Sequence, residues 1–234
     1  MKTYKVLSLL LSYPKKEWLD HIAEFKQTLI DEQLLSKQKL NGLIKLIDRL
    51  GSADLIDAQE NYVATFDRTP ALSLHLFEHI HGESRDRGQA MIDLTSMYNA
   101  NGFGIATSEL PDYLPVFLEF LSSGTAKEAS TVLAETNQVL LVIQERLAKK
   151  ELDYSHVFSA LTELSSARTI SKDIKQMIAN EADHLSFEEI DKQWVEPEAF
   201  GKNPFKSQGY LNQKIQVNLQ ASKGEARNSS GGLS

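Results

Sequence analysis

The chain contains no cysteine. Disulfides, thiolate catalysis, iron–sulfur ligation by this chain and cysteine-ligated zinc are therefore excluded. Nor is there an apolar run approaching the ~18–20 residues that a membrane-spanning helix needs. The opening "MKTYKVLSLLLSYPKKEW" is apolar only from Val6 to Leu11, and Pro14, Lys15 and Lys16 follow at once without a small-residue cleavage site. That pattern predicts a buried first helix rather than a secretion signal. A Gly-rich phosphate loop of the P-loop type is also missing, and a net charge of −7 argues against general nucleic-acid binding. The expectation is a cytoplasmic protein without stable membrane insertion.

What is present is an average globular composition, with 41% apolar and 24% charged residues in 234. The length suits one or two domains with a substantial core. Charge is unevenly distributed. From Gly201 to Ser234 there are five basic residues (Lys202, Lys206, Lys214, Lys223, Arg227) and one acid, Glu225, a net of +4, so the first 200 residues carry −11. An acidic body favours encounter with a basic partner, although the same charge also serves plain solubility.

Nearly every apolar pattern has the helical period. Trp18, Ile22, Phe25 and Leu29 form one stripe; Leu40, Leu43, Ile44, Ile47 and Leu50 form another, with Gly51 as its expected stop. Ile56, Tyr62, Val63 and Phe66 fit a helix ending before Pro70. Further helices are predicted from about Leu72 to Gly82 and from about Ser84 to Gly102. "ELPDYLPVFLEFLSSG" predicts a helix with Pro111 and Pro115 near its first turn and Gly124 at its end. "TAKEASTVLAETNQVLLVIQERLAKK" places Ala129, Val132, Leu133, Thr136, Leu140, Ile143 and Leu147 on one face of a single helix. Two more helices are expected, with Asp153 and Ser171 as N-caps, and Ser186 with Glu189 matches a capping box. The predicted fold is all-α: one helical bundle domain over residues 1–195, followed by a flexible, basic tail over 196–234. Within that tail "LNQKIQVNLQ" alternates like a strand but has no internal partner, so disorder is expected there.

The densest chemistry lies in "SLHLFEHIHGESRDRGQAM", residues 73–91. Its "HLFEH" fits the H-x-x-E-H pattern of one class of zinc protease, with His75 and His79 as ligands and Glu78 as general base. A third ligand is needed, and only His81 or a distant glutamate is at hand, so a five-residue match carries little weight. Ser84 is the expected cap of the following helix, which puts Arg85 and Arg87 in its first turn against the helix dipole. Either an internal network with Glu78, Glu83 and Asp86 or a bound anion would compensate them. Tyr62, Phe66, Leu76 and Phe77 are available to line an apolar groove, with Asp67, Glu78, Glu109 and Asp112 on its rim. Such a groove suits a basic, partly apolar helical peptide. The alternative is that the aromatics are core and the acids solvated.

The ordered set "YVATFDR…SLHLFEHIHGESRDRGQAMIDL…ELPDYLPVFLEFL" resembles the NarJ family of nitrate reductase assembly chaperones. That family lies within the redox-enzyme maturation proteins that also serve trimethylamine-N-oxide and dimethylsulfoxide reductases, the TorD-like and DmsD-like chaperones. The likeness is strongest from Tyr62 to Leu121 and extends more loosely over Leu7–Pro14 and on to about Trp194. It implies an all-helical TorD-like chaperone without enzymatic activity. As the resemblance has it, such a protein binds the apo catalytic (alpha) subunit of respiratory nitrate reductase, including its N-terminal segment. It keeps that subunit open for the molybdenum cofactor, bis-molybdopterin guanine dinucleotide, and for iron–sulfur insertion. It then assists docking of the alpha–beta pair at the membrane and is absent from the finished enzyme. Molybdenum-cofactor delivery proteins are further implied partners, and no cofactor is held permanently.

Under that resemblance Tyr62, Phe66, Leu76 and Phe77 form the client groove, flanked by Asp67, Glu78 and Glu109. His79, Glu83, Arg85 and Asp112 are its polar contacts, and Pro111 and Pro115 fix the adjoining backbone. Ser84, Arg85 and Arg87 are candidates for contacting the cofactor's phosphates. The rival readings are a chaperone of another molybdoenzyme, a zinc hydrolase built on "HLFEH", and a guanine-nucleotide-binding regulator.

Overall fold

The computed structural model describes residues 1–81, 85–105 and 109–165. The first apolar run forms α1 (Lys2–Leu10), which buries Tyr4, Val6, Leu7 and Leu10. Its exposed N-terminal amides are satisfied from another helix. The Glu32 carboxylate at the end of α3 (Ile22–Glu32) accepts from the Lys2 N–H at 2.8 Å and the Thr3 N–H at 2.6 Å. A carboxylate here also meets the positive end of the α1 dipole. The short α2 (Lys16–Leu19) precedes α3, and Trp18 stacks on Phe25 with centroids 6.0 Å apart. The predicted Trp18–Leu29 stripe is thus shared between two helices rather than carried by one.

α4 (Lys37–Ser52) packs its buried Leu43, Leu46, Ile47 and Leu50 toward the centre. The expected stop at Gly51 is corrected, because the helix continues through it to Ser52. Gly51 instead makes room for α3, since a Cβ there would lie 3.0 Å from a methyl of Ile22. α5 (Leu55–Tyr62) is capped by the Asp54 carboxylate, which accepts from the Ile56 N–H at 2.8 Å. Ile56 itself, predicted on the buried stripe, is 64% exposed, and Ala58 and Tyr62 face the core instead. The chain then widens into a π-turn (Val63–Asp67), which rotates Phe66 inward beside Tyr62.

The helix predicted from Leu72 to Gly82 is also divided. A 3₁₀ turn (Pro70–Leu72) is followed by an extended step, and α6 spans Leu76–His81. The reason is an isolated antiparallel bridge between His75 and Tyr113, which takes His75 out of the helix. α7 (Arg85–Ala100) agrees with expectation. α8 (Leu114–Ser123) begins after Pro111 and carries Pro115 in its first turn. The single long helix expected from residue 125 is two, α9 (Ala126–Glu135) and α10 (Asn137–Lys149). Buried Thr136 breaks them apart, its hydroxyl donating to the Leu133 carbonyl at 2.9 Å and competing with the helical ladder. α9 opens with a Thr125/Glu128 capping box that the sequence reading passed over. α11 (Ser155–Leu164) starts after Tyr154, and Asp153 pairs with Arg49 rather than capping the helix.

No named strand occurs among the described residues, so the architecture is all-α. α1 lies chiefly on α8, α10 on α11, and α4 on α3 and α11. These faces share one apolar cluster, with Leu7, Leu10, Leu43, Leu118, Phe158 and Leu161 among its fully enclosed members. Each such side chain contributes about 1.5–3 kcal/mol of transfer free energy. No helix among the described residues is long and apolar enough to cross a membrane. The expected caps at Ser171 and Ser186, the domain limit at 195 and the basic tail lie outside the described residues.

Burial raises the Glu32 pKa, but the hydrogen bonds from Thr3 and Lys2 outweigh it and hold the carboxyl below the usual glutamate range. A depressed folded-state pKa adds stability above the unfolded value, and that stability is lost as pH falls through the folded one. Glu32→Ala should therefore cost about 1 kcal/mol near neutral pH, a typical N-cap loss. The difference from the parent should vanish in acid, as checked by urea denaturation at a series of pH values.

Candidate functional site

Two chain segments meet between α5, α6 and α8. The Leu114 N–H donates to the Leu74 carbonyl at 2.8 Å, and the Leu76 N–H donates to the Asp112 carbonyl at 3.0 Å. These bonds clasp residues 74–76 against 112–114. The Asp112 side chain completes the clasp: it is 0% exposed and accepts from the Phe77 N–H at 3.1 Å and from His75 Nδ1 at 3.2 Å. It thereby caps α6 from a distant segment. The hydrogen bond to Asp112 raises the His75 pKa against the lowering effect of burial. A protonated His75 gives the enclosed carboxylate the partner it needs.

Beside this clasp opens a cavity of about 480 Å³. Tyr13, Tyr62, Phe66, Pro70, Leu74 and Tyr113 make its apolar walls, and Asp67, Ser73, His75, Glu78 and Glu109 its polar parts. The Leu11 carbonyl can only accept, so the Tyr62 hydroxyl donates to it at 3.0 Å and accepts from Tyr113 at 2.8 Å. Burial pushes the pKa of both tyrosines up, and both remain protonated donors. Tyr13 stands edge-on to Tyr62 with centroids 5.6 Å apart. Neither a lysine nor an arginine lines the cavity among the described residues. The mouth is therefore aromatic and acidic, dimensions and chemistry that suit one or two side chains of a basic ligand.

Of the predicted groove residues, Tyr62, Phe66, Asp67, Glu78 and Glu109 converge here. Leu76 and Phe77 do not line the cavity; both are enclosed in the core. Asp112 is not a rim carboxylate, because its oxygens are taken up inside the clasp. His79 also turns away: its Nε2 bonds the Ser73 carbonyl at 2.8 Å, and burial lowers its pKa, so it sits neutral. Pro111 receives the Tyr98 hydroxyl on its carbonyl at 2.7 Å, and buried Pro115 receives that of Ser8, also at 2.7 Å. Both prolines therefore shape the backbone beside the cavity. Glu83 and Ser84 lie outside the described residues, as does the side chain of Arg85. Arg87 pairs with Glu78 at 3.2 Å, the internal compensation weighed for the first turn of α7. Tyr13, Ser73, Leu74, His75 and Tyr113 were missed as wall residues, although "LLLSYP" and "PDYLP" had drawn attention to two of them.

This geometry also dismantles "HLFEH" as a metal motif. His75 stands outside α6, so it and His79 do not share a helical face. Glu78 is held by Ser73 and Arg87. Among the described residues no group of three histidines or carboxylates is arranged to hold a metal ion.

Asp112→Asn should lower the His75 pKa, read from the imidazole signals in an NMR titration. It should also cost about 2–3 kcal/mol at pH 6. Because the His75 pKa is raised, its share of that loss is complete below the unfolded value and disappears as pH rises through the folded one. The share due to the Phe77 bond remains. An unshifted His75 would contradict the pairing.

Residues 30–160 match the family model described as "Nitrate reductase delta subunit". The chain is 36% identical over 191 residues to the nitrate reductase molybdenum cofactor assembly chaperone NarJ of Escherichia coli K12, covering 82% of this chain and 81% of that one. It is 34% identical over 196 residues to the probable nitrate reductase molybdenum cofactor assembly chaperone NarW of the same strain, covering 84% and 82%. Identity to the probable chaperone NarJ of Bacillus subtilis is 29% over 159 residues, or 68% of this chain and 85% of that one. With more than half its length inside the family model and the two Escherichia coli relatives matched over about four-fifths of each chain, the chain belongs to the nitrate reductase delta subunit family.

Proposed function

We propose that this protein is a cytoplasmic chaperone of nitrate reductase assembly with no catalytic activity of its own. It binds the apo alpha subunit, including its N-terminal segment, and keeps it competent for insertion of bis-molybdopterin guanine dinucleotide and of iron–sulfur clusters. It releases that subunit after the alpha–beta pair docks at the membrane. The observation that carries this reading is the match to a molybdenum cofactor assembly chaperone over four-fifths of both chains.

The cavity supplies the client-binding part of the proposal. An aromatic wall takes the apolar face of a peptide, and Asp67 and Glu109 meet its basic residues. Glu78 contributes less, being engaged by Arg87. Leu76, Phe77, His79, Asp112, Pro111 and Pro115 act from behind by holding the wall in place. Ser84, Arg85 and Glu83, beside the cavity in sequence, are proposed to meet the larger folded surface of the client or the phosphates of its incoming cofactor. Arg85→Ala should then slow cofactor loading of the apo subunit.

Calorimetric titration tests the core of this reading. A synthetic peptide copying the N-terminus of the same organism's nitrate reductase alpha subunit should bind at micromolar affinity, and its scrambled version should not. Tyr113→Ala should weaken the peptide about tenfold and Asp67→Asn about threefold, consistent with a lost wall contact and a lost rim charge. Equal binding of the scrambled peptide would overturn the proposed recognition.

A further inference from the structure

We infer that the acidic aromatic cavity is occupied, in the client-free protein, by the chain's own segment from Phe200 to Lys214. The protein thus carries an internal competitor for its client site. Three observations point there together.

The first is charge. The cavity presents Asp67 and Glu109, together with Glu78, which Arg87 pairs from outside the lining, and is lined by neither lysine nor arginine among the described residues. From Gly201 to Gly224 the chain has four lysines and no acid, which makes it the natural counter-charge to a body of −11. The second is side-chain type. "FGKNPFKSQGYLNQK" interleaves Phe200, Phe205, Tyr210 and Leu211 with Lys202, Lys206 and Lys214. That mixture meets aromatic walls and carboxylates alike, through ring–ring and cation–ring contacts. The third is reach. Tyr154, just before α11, packs on the cavity wall, its ring centroid 4.8 Å from that of Phe66. The ten residues of α11 carry the chain about 15 Å onward. Thirty-seven positions then separate Ser165 from Lys202. Even wound wholly as helix they would span about 55 Å, well beyond the return distance.

Tethering places the segment at an effective concentration in the millimolar range. A segment binding with a dissociation constant about half that concentration would weaken an outside ligand about threefold by competition. The contact is thus weak enough to yield to a micromolar client and strong enough to cover the exposed Tyr13 ring at the mouth for much of the time.

The absence of cysteine makes the test direct, because one introduced thiol labels uniquely. Full-length protein bearing Ser207→Cys and a nitroxide should show paramagnetic broadening concentrated on the backbone amides of Tyr13, Asp67 and Tyr113. Adding Lys202→Glu, Lys206→Glu and Lys214→Glu should abolish that broadening. The same triple variant, unlabelled, should bind the alpha-subunit peptide about threefold more tightly. Broadening that is absent, spread evenly over the body or indifferent to charge reversal would overturn the inference, and unchanged peptide affinity would overturn the competition. The nitroxide measurement needs no client, so it stands or falls separately from the proposed chaperone function.

Discussion

One enclosed carboxylate holds together the walls of the acidic, aromatic cavity. Asp112 ties the start of α6 to the approach of α8 through the Phe77 amide and the His75 ring. Around it the Leu74–Leu114 and Leu76–Asp112 backbone bonds form a short antiparallel clasp in an otherwise helical chain. A buried charge is stable only when paired and hydrogen-bonded, so the clasp cannot slip by one residue without stranding it. Tyr113, next in sequence, is thereby pinned at the cavity wall, with its hydroxyl donating to Tyr62. The Tyr62 hydroxyl in turn holds the Leu11 carbonyl at the end of α1. Three distant segments are registered against one another through these two side chains.

The arrangement explains why apolar and acidic groups can share one mouth. Aromatic rings exposed at a surface are a liability unless fixed, because mobile apolar surface associates indiscriminately. Here Tyr13, 40% exposed, stands on buried Tyr62, which packs on buried Phe66, and Tyr154 supports Phe66 from the core side. A rigid wall loses little conformational entropy on binding, which lets a peptide of modest contact area bind usefully. A rim charge such as that of Asp67 contributes encounter rate and discrimination to an association more than raw affinity.

Much of the fold was legible because helical period is a local property. α4, α7 and α8 lie close to where their apolar spacing predicted them. The misses share one cause, which is that tertiary contacts decide matters the spacing leaves open. Ile56 has the right period and faces outward, because Ala58 takes the close approach on its helix. Thr136 reads as a compatible helical residue, yet once buried it turns its hydroxyl on the ladder and splits the helix. Gly51 looks like a stop and is instead a gap left for Ile22.

The site was legible in outline but not in its division of labour. Asp67, Glu109 and Asp112 are equivalent as letters, all acids beside apolar residues in quoted motifs. Only the clasp separates them, putting Asp112 inside and the other two at the mouth. "HLFEH" shows the same limit from the other side. Its spacing has meaning only on a continuous helix, and the His75–Tyr113 bridge makes the helix start one residue too late for it. His75 then meets Asp112 while His79 meets a carbonyl, so two identical residues four apart are driven in opposite directions, one toward the charged form and one toward the neutral. A motif dense in chemistry can thus be spent almost entirely on architecture. The cavity wall it supports is completed by less conspicuous residues, Tyr13 and Tyr113.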